Sequence, residues 1–137
     1  MNATIRTRAF GATASVGRGG LPEVISETGG RLSVVTRPSA EGFSPVDLLA
    51  ASLASCIAIS VQSAARAEGR LAEIDRVTVR VIPEKAEGEP SRIARFATTV
   101  TIDGSLDAAG KARLVAAAET LCTVSNTLRA GAATGEE

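Results

Sequence analysis

The two cysteines, Cys56 and Cys122, are the residues of this chain best suited to covalent chemistry, because the sequence contains no histidine. The lack of histidine excludes Cys-His and Ser-His-Asp catalysis and most zinc and iron sites. Two cysteines far apart in the sequence cannot form a metal site alone, so we predict no metal and no cofactor. No secretion signal is recognisable at the N-terminus, which disfavours a structural disulfide and favours reactive thiols.

Cys56 lies at the middle of an apolar helix, where a lone cysteine is most often a small core residue. Weakly polar residues recur with it at spacings of four, four and three, which places them on one helix face; they are Ser52, Cys56, Ser60 and Ser63. We interpret this stripe as the lining of a pocket. In mid-helix, Cys56 cannot use a helix N-terminus to stabilise a thiolate, so it needs a cation, which must be Lys or Arg.

Cys122 lies at or near the start of a predicted short helix, where backbone N–H groups favour a thiolate. A free thiol in a loop is an equally acceptable interpretation of this residue alone. The pair is more informative, because two cysteines in an apolar setting suit a thiol peroxidase. One cysteine attacks an O–O bond and becomes a sulfenic acid, and the other condenses with it to a disulfide.

The stretch from Ser44 to Gly69 predicts one long helix around which the chain is organised. Ser44 is a good N-cap, Pro45 suits the first helical position, and Asp47 completes a capping box. Gly69 is a typical C-terminal stop. The segment Leu48–Ala65 carries no charge, and such a helix must be buried on all sides. We reject a membrane span because five of these residues are polar and the flanking segments are typical of soluble strands.

The remaining elements are predicted from periodicity and from turn residues. Runs of strands, rather than strands alternating singly with helices, predict an antiparallel α+β fold. We expect a single domain over residues 1–137 with a flexible tail from about residue 130. The predicted elements are strands Ala3–Ala12, Leu21–Glu27, Arg31–Arg37, Ile74–Val81 and Ile93–Ile102, loops Val16–Gly20 and Pro83–Pro90, a turn at Gly29-Gly30, a helix Leu106–Thr120 capped by Ser105, and a short helix from near Cys122.

Composition narrows the possible partners. Fifteen basic residues balance fifteen acidic ones, and aromatic residues make up only 2% of the chain. Without a basic block or aromatic side chains to stack on bases, nucleic-acid binding is not expected. The segment Met1–Phe10 is polar and carries arginines rather than a signal peptide, so we expect a cytoplasmic protein.

The predicted central helix has more apolar surface than a single chain can bury. One sheet covers only one side of it, and the short C-terminal helices add little. The small residues Ala51, Ser55 and Ala58 form a stripe on the helix that would allow a second helix to approach closely. We therefore predict a homodimer that packs helix against helix.

Two segments resemble the motifs of a known family. The run Ser44-Pro-Val-Asp-Leu-Leu-Ala-Ala-Ser-Leu-Ala-Ser-Cys56 resembles the signature before the first cysteine of the OsmC/Ohr family, the osmotically inducible and organic-hydroperoxide-resistance proteins. The run Cys122-Thr-Val-Ser-Asn-Thr-Leu resembles the second-cysteine motif, usually Cys-Pro-Val-Ser. The order of elements matches over almost the whole chain. The resemblance implies an OsmC-like fold in an intertwined homodimer, with sheet wrapped on the long helix and active sites at the subunit interface.

The resemblance also implies roles. Cys56 corresponds to the peroxidatic cysteine and Cys122 to the resolving cysteine. Arg18, in the loop Gly17–Gly19, matches an arginine that stabilises the thiolate and polarises the peroxide, acting within its subunit or across the dimer; an ordinary exposed loop arginine is the alternative. Ser52, Ser60 and Asp47 are possible accessory residues. The implied substrates are organic hydroperoxides and, less efficiently, hydrogen peroxide, with an external thiol as reductant.

The chain departs from the family pattern at three places. Val46 stands where Ohr-type members have a glutamate that orients the arginine, and Asp47 is better interpreted as a cap than as its substitute. Thr123 replaces the motif proline, and the tail lacks a final strand. These differences favour the general OsmC-like branch. The alternatives to a peroxidase are a non-catalytic or redox-sensing dimer that binds a small molecule or lipid, and a stress-associated protein without strong catalysis.

Overall fold

The computed structural model describes residues 8–136, which form α-helices and antiparallel strands in an α+β fold. The chain divides into two compact units, Met1–Leu48 and Leu49–Glu137, and the interpretation as a single domain stays a prediction. The described elements are β1 (Ala12–Ser15), β2 (Glu23–Ser26), β3 (Arg31–Ser33), α1 (Pro45–Ala67), a 3-10 turn (Leu71–Glu73), β4 (Ile74–Lys85), β5 (Ile93–Gly104), α2 (Ala108–Leu121) and α3 (Thr123–Ala130).

The first unit contains an antiparallel sheet in the order β1-β2-β3. The prediction of a strand over Ala3–Ala12 is wrong in its described part: residues 3–7 lie outside the described residues, and β1 begins only at Ala12. Gly11 precedes it with a φ of 138°, a conformation that interrupts a strand. A hairpin turn between β2 and β3 is present, but it is not the predicted two-residue turn of Gly29-Gly30. The Ser26 N–H donates to the Gly30 carbonyl and the Gly29 N–H to the Ser26 carbonyl, both at 2.9 Å, so the loop is formed by residues 27–29.

The third strand is much shorter than the predicted Arg31–Arg37. β3 ends at Ser33, and Val34 instead forms an isolated parallel bridge with Phe43. The chain turns back at residues 38–42, and the Val35 N–H donates to the Phe43 carbonyl at 3.0 Å. This return brings the backbone to the start of α1.

The two ends of α1 follow the predicted signals. The Ser44 N–H donates to Asp47 Oδ2 at 2.9 Å and the Asp47 N–H donates to Ser44 Oγ at 3.2 Å, which is a reciprocal capping box. Beyond the other end, Gly69 adopts a φ of 70°, and its N–H donates to the Arg66 carbonyl at 3.1 Å. Both predicted caps are confirmed.

The prediction that α1 is buried on all sides is wrong for the single chain. Its buried residues are Leu53, Ile57, Ser60, Val61, Ala64 and Ala65. Ile59, on the opposite side, is 61% exposed, and Leu49, near the start of the helix, is 44% exposed. α1 is long and apolar enough to cross a membrane, and core helices of soluble proteins meet the same two criteria. Its buried face contributes to both core clusters of the second unit.

The strands β4 and β5 pair along their whole length, from Ile74 opposite Gly104 to Lys85 opposite Ile93. The predicted loop Pro83–Pro90 therefore begins too early. β4 pairs only with β5 in the described part of the chain, so Pro83 lies opposite Phe96 without interrupting a second ladder. The strands form two separate sheets rather than the single sheet expected from the sequence.

Two apolar clusters hold the second unit together. In the first, Val61 and Ala65 of α1 pack with Ile102 of β5 and with Leu114 and Ala118 of α2. The second joins Leu53 and Ile57 of α1 to Val81 of β4 and to Cys122. The two clusters fix α1 against the strands and place Cys122 beside the helix that carries Cys56.

The cap of α2 differs from the predicted Ser105. Asp107 is the N-cap, and its Oδ1 accepts a hydrogen bond from the Gly110 N–H at 2.8 Å. Leu106 precedes the helix and is buried in the first cluster, while the Ser105 N–H donates to the Glu73 carbonyl at 3.0 Å. The N-cap therefore lies two residues after the predicted position, because Leu106 is buried in the core before the helix begins.

Gly104→Ala is expected to destabilise the protein by about 3 kcal/mol, because an added Cβ would overlap the Glu73 carbonyl and the φ of 146° is strained for alanine. The control is Gly69→Ala, where φ is also positive but nothing lies within 4 Å of the new Cβ; its expected cost is about 1 kcal/mol. Urea unfolding followed by circular dichroism measures both. Equal losses of unfolding free energy would contradict the close approach at Gly104.

Candidate active site

The structure brings the two cysteine side chains together. Cys56 is half-buried on α1, and Cys122 is fully buried at the residue that precedes α3. Both are free thiols, and Cys56 packs against the apolar cluster that contains Cys122. Two residues from distant parts of the sequence thus form one site within the unit Leu49–Glu137.

Cys122 has a structural role at the start of α3. Its Sγ accepts a hydrogen bond from the Ser125 N–H at 3.3 Å, so the sulfur acts as the N-cap of the helix. The side chain belongs to the second apolar cluster, packed with Leu53, Ile57 and Val81. The sequence prediction of a helix beginning at Cys122 is confirmed.

The start of α3 lies beside Cys56. Cys56 and Val124 both pack against the apolar cluster that contains Cys122. Thr123 and Val124 open α3, and the first N–H groups of a helix have no partner within the helix.

The two thiols differ in acidity. Burial raises the pKa of Cys56, but the hydrogen bonds from Cys122, Val124, Thr123 and Ser60 together outweigh it, so the net pKa lies below its ordinary value. Burial also raises the pKa of Cys122, and the neighbouring Cys56 raises it further, against the lowering effect of the Ser125 amide. Cys56 is consequently the more acidic of the two thiols.

The expectation that Cys56 needs a cation stays a prediction. It considered only the helix on which Cys56 lies, whereas burial raises the pKa of Cys56 and groups at the start of α3, the amides of Val124 and Thr123, are among those that lower it. Thr123 and Val124 were missed as site residues because their contribution comes from the backbone. The available signal was the predicted helix start at Cys122, whose N–H groups were assigned to the Cys122 sulfur.

The predicted polar stripe on α1 does not form one lining. Ser60 is 6% exposed and contacts Cys56. Ser52 is exposed and its hydroxyl donates to the Leu49 carbonyl at 2.8 Å, and Ser63 is exposed as well. Of the predicted accessory serines, Ser60 is therefore the one that the structure brings to the thiol.

The remaining candidates lie in the first unit. The carboxylate of Asp47 is used in the capping box, and the Ser44 N–H holds the pKa of Asp47 below its usual range, in keeping with its interpretation as a cap. Arg18 is exposed in the loop between β1 and β2. It belongs to the unit Met1–Leu48, so its role toward Cys56 stays a prediction.

A cavity of about 400 Å³ adjoins the second cluster. It shares Leu53, Ile57 and Phe96 with the cluster that surrounds Cys122. The lining combines apolar, cationic and acidic side chains, namely Leu53, Ile57, Ile93, Ala94, Arg95, Phe96, Thr98, Glu119, Ser125, Leu128 and Arg129. In the described part of the chain, no group of three or more His, Cys, Asp or Glu residues is arranged to hold a metal ion.

Comparisons with known proteins agree on one family. Residues 38–137 match the family model described as OsmC-like protein, while no curated protein sequence matches the chain significantly. Among solved structures, the OsmC-like protein from Mycoplasma pneumoniae superposes with a TM-score of 0.79 at 17% identity, covering 92% of this chain and 91% of that one.

Two hydroperoxide resistance proteins share the fold as well. The organic hydroperoxide resistance protein from Elizabethkingia anophelis has a TM-score of 0.71 at 20% identity, with 93% of each chain covered. The organic hydroperoxide resistance protein OhrB of Bacillus subtilis has a TM-score of 0.66 at 25% identity, covering 90% of this chain and 93% of that one. This chain therefore shares its α+β architecture with these proteins.

Iodoacetamide is expected to alkylate Cys56 before Cys122 in the folded wild-type protein near neutral pH. The thiolate is the reacting form, and Cys56 combines a lowered pKa with partial exposure while Cys122 is buried with a raised pKa. The rate at Cys56 should rise with pH and level off below the pKa of an ordinary thiol, which is about 8.5. Intact mass and peptide mapping measure the order of labelling.

Labelling in denaturant is the control, because both thiols are then exposed and should react alike. Preferential labelling of Cys122 in the folded protein would contradict the assignment of the thiolate to Cys56.

Proposed function

We propose that this chain, which belongs to the OsmC-like protein family, is a cysteine-based peroxidase that reduces organic hydroperoxides and, less efficiently, hydrogen peroxide. The observation that carries the proposal is the packing of Cys56 against the cluster that contains Cys122, with the pKa of Cys56 lowered and that of Cys122 raised. Solved structures with this fold include organic hydroperoxide resistance proteins, which supports the choice of substrate class.

The first step uses Cys56 as the nucleophile. Its thiolate attacks the terminal oxygen of the hydroperoxide, an S–O bond forms, and the O–O bond breaks. The sulfur is oxidised by two electrons to a sulfenic acid, and the peroxide is reduced to an alcohol whose oxygen takes up a proton. The lowered pKa of Cys56 supports this step, because the thiolate is the reacting form.

The second step uses Cys122 as the resolving residue. Its sulfur attacks the sulfenic sulfur of Cys56, an S–S bond forms, and the hydroxyl group leaves as water with the proton of the Cys122 thiol. The packing of Cys56 against the cluster that contains Cys122 supports this step, because it holds the two side chains in the same part of the unit. An external thiol reductant then supplies two electrons and two protons to restore both thiols.

Arg18 is proposed to stabilise the charge on the leaving oxygen. It matches an arginine of the family in its position between two glycines, and its exposure in the described structure leaves the guanidinium available. As expected from that match, the proposed role of Arg18 includes stabilisation of the Cys56 thiolate as well as of the leaving oxygen.

We propose a cytoplasmic homodimer as the working form. Exposed apolar side chains on α1 support this dimer, since Leu49 and Ile59 remain 44% and 61% exposed in the single chain. Ala51, Ser55 and Ala58 place small side chains on α1, where a second helix could approach closely. The partner would cover the apolar surface that one chain leaves in contact with water.

A second candidate function is the binding of a small molecule or lipid by a dimer whose cysteines sense oxidation. The cavity of about 400 Å³ beside the Cys122 cluster favours it, because Leu53, Ile57, Phe96 and Leu128 offer apolar contact to a ligand. Ligand binding that persists in a Cys56→Ser variant, together with wild-type thiols that peroxide does not oxidise, would favour this function over the peroxidase.

Treatment of the wild type with one equivalent of cumene hydroperoxide is expected to consume both free thiols as an intramolecular disulfide. In Cys122→Ser, the same treatment should leave a sulfenic acid on Cys56 that dimedone traps, since no resolving thiol remains. Intact mass and free-thiol titration give the readout. Cys56→Ser is the matched control and should retain its buried thiol. Survival of both thiols in excess peroxide would refute the peroxidase.

Ser55→Arg is expected to weaken the homodimer at least tenfold in dissociation constant, because a long charged side chain would prevent close helix packing. Ser55 is exposed in the single chain, so the fold of the subunit should persist by circular dichroism. Sedimentation velocity measures the change. Ala67→Arg, at the exposed end of α1 and outside the small-residue stripe, is the control and should remain dimeric; an unchanged dimer in Ser55→Arg would exclude this interface.

A further inference from the structure

The cavity of about 400 Å³ beside the second cluster lies wholly within the second unit. Leu53 and Ile57 of α1 and Phe96 of β5 give it apolar walls, and all three also belong to the second cluster or pack against it. On another side, α3 contributes the polar residues Ser125 and Arg129. Apolar walls with a small number of polar groups on one side are typical of a small-molecule binding site.

The hydroxyl of Ser125 is an unpaired polar group in these apolar surroundings. Ser125 is only 8% exposed, and the hydrogen bond that it donates to Cys122 Sγ uses its backbone N–H. Its hydroxyl has no hydrogen-bond partner among residues 8–136. In that range no buried side-chain nitrogen or oxygen is both unpaired and sealed from solvent, so the Ser125 oxygen opens onto the cavity. A ligand atom bound there would give this buried group its missing hydrogen bond.

The charged residues that line the cavity differ in their pairing. Arg95 is engaged by Glu84, with Nη1 and Oε1 2.7 Å apart. Arg129 and Glu119 also line the cavity, and neither forms an ion pair in the part of the chain that the structure describes. Arg129 follows Ser125 by four residues, which places the two side chains on one face of α3. Glu119 reaches the cavity from α2 instead.

We propose that this cavity binds an amphipathic carboxylate, whose two oxygens accept hydrogen bonds from the Ser125 hydroxyl and the Arg129 guanidinium. The apolar body of the ligand then lies against Leu53, Ile57 and Phe96. Hydrogen bonds between a guanidinium and a carboxylate are among the stronger ones, whereas a neutral ligand would leave Arg129 unused. The inference goes beyond the proposed peroxidase, because neither thiol takes part in the binding.

Decanoate is the probe, and decanol of equal chain length is its neutral counterpart. Isothermal titration calorimetry of the full chain is expected to show saturable binding of decanoate, about fivefold tighter than that of decanol. Arg129→Gln and Ser125→Ala should each weaken decanoate binding by about fivefold, because each removes one donor to the carboxylate. Arg129→Gln should leave the affinity for decanol unchanged.

Three further variants act as controls. Arg92→Gln removes an arginine outside the cavity, whose Nη1 donates to the Pro90 carbonyl at 3.1 Å, and it should bind decanoate as the wild type does. Glu119→Gln removes a like charge from the cavity wall and should tighten decanoate binding by about threefold. Cys56→Ser should bind with unchanged affinity. Ser125→Ala keeps the backbone N–H that caps α3, so circular dichroism should show an intact fold.

The site is confirmed in solution if the Ser125 and Arg129 amide resonances shift as decanoate is added. Unchanged decanoate affinity in both Arg129→Gln and Ser125→Ala would overturn the inference, as would equal affinity for decanol or no binding at all. Weaker decanoate binding in Glu119→Gln would contradict the placement of an anion on this side of the cavity.

Failure of this inference can be told apart from failure of the proposed function, because the titration uses no peroxide. Decanoate binding by a protein whose thiols cumene hydroperoxide does not oxidise would refute the peroxidase and support the carboxylate site. Oxidation of both thiols by a protein that does not bind decanoate would support the peroxidase and overturn the carboxylate site.

Discussion

The packing of α1 against the start of α3 is the constraint on which the site depends. The two helices meet in the second apolar cluster, against which Cys56 and Val124 both pack. A thiolate in apolar surroundings is unfavourable unless polar groups lie near it. Burial accordingly raises the pKa of Cys56, while the Cys122 thiol and the amides of Val124 and Thr123 lower it, and the lowering is the larger effect.

The rest of the second unit fixes the distance between the two helices that meet at the sulfurs. The first cluster anchors the C-terminal half of α1 through Val61 and Ala65. The second cluster places Leu53 and Ile57 against Cys122. The difference in acidity between the thiols follows from this placement. Cys56 is only partly buried, whereas Cys122 is fully buried, and burial raises the pKa of its thiol.

Local signals in the sequence predicted local structure well. The capping box of Ser44 and Asp47 and the helix start at Cys122 were readable because each depends on residues close together in the chain. The effect of the Thr123 amide on the pKa of Cys56 could not be predicted, since it joins distant segments and involves no side-chain chemistry of Thr123. The cap at Asp107 was misplaced by two residues for a similar reason: burial of the preceding leucine, a tertiary effect, decides where α2 begins.

Position 122 is subject to two requirements of different origin. Capping of α3 needs a short side chain with an acceptor atom, and serine, threonine, aspartate or asparagine would serve at least as well as cysteine. Covalent capture of an oxidised sulfur needs a second sulfur and accepts none of these residues. Selection for stability alone would allow any of the oxygen-bearing residues at position 122. Retention of cysteine at this position in related chains would therefore indicate selection on redox chemistry rather than on the fold.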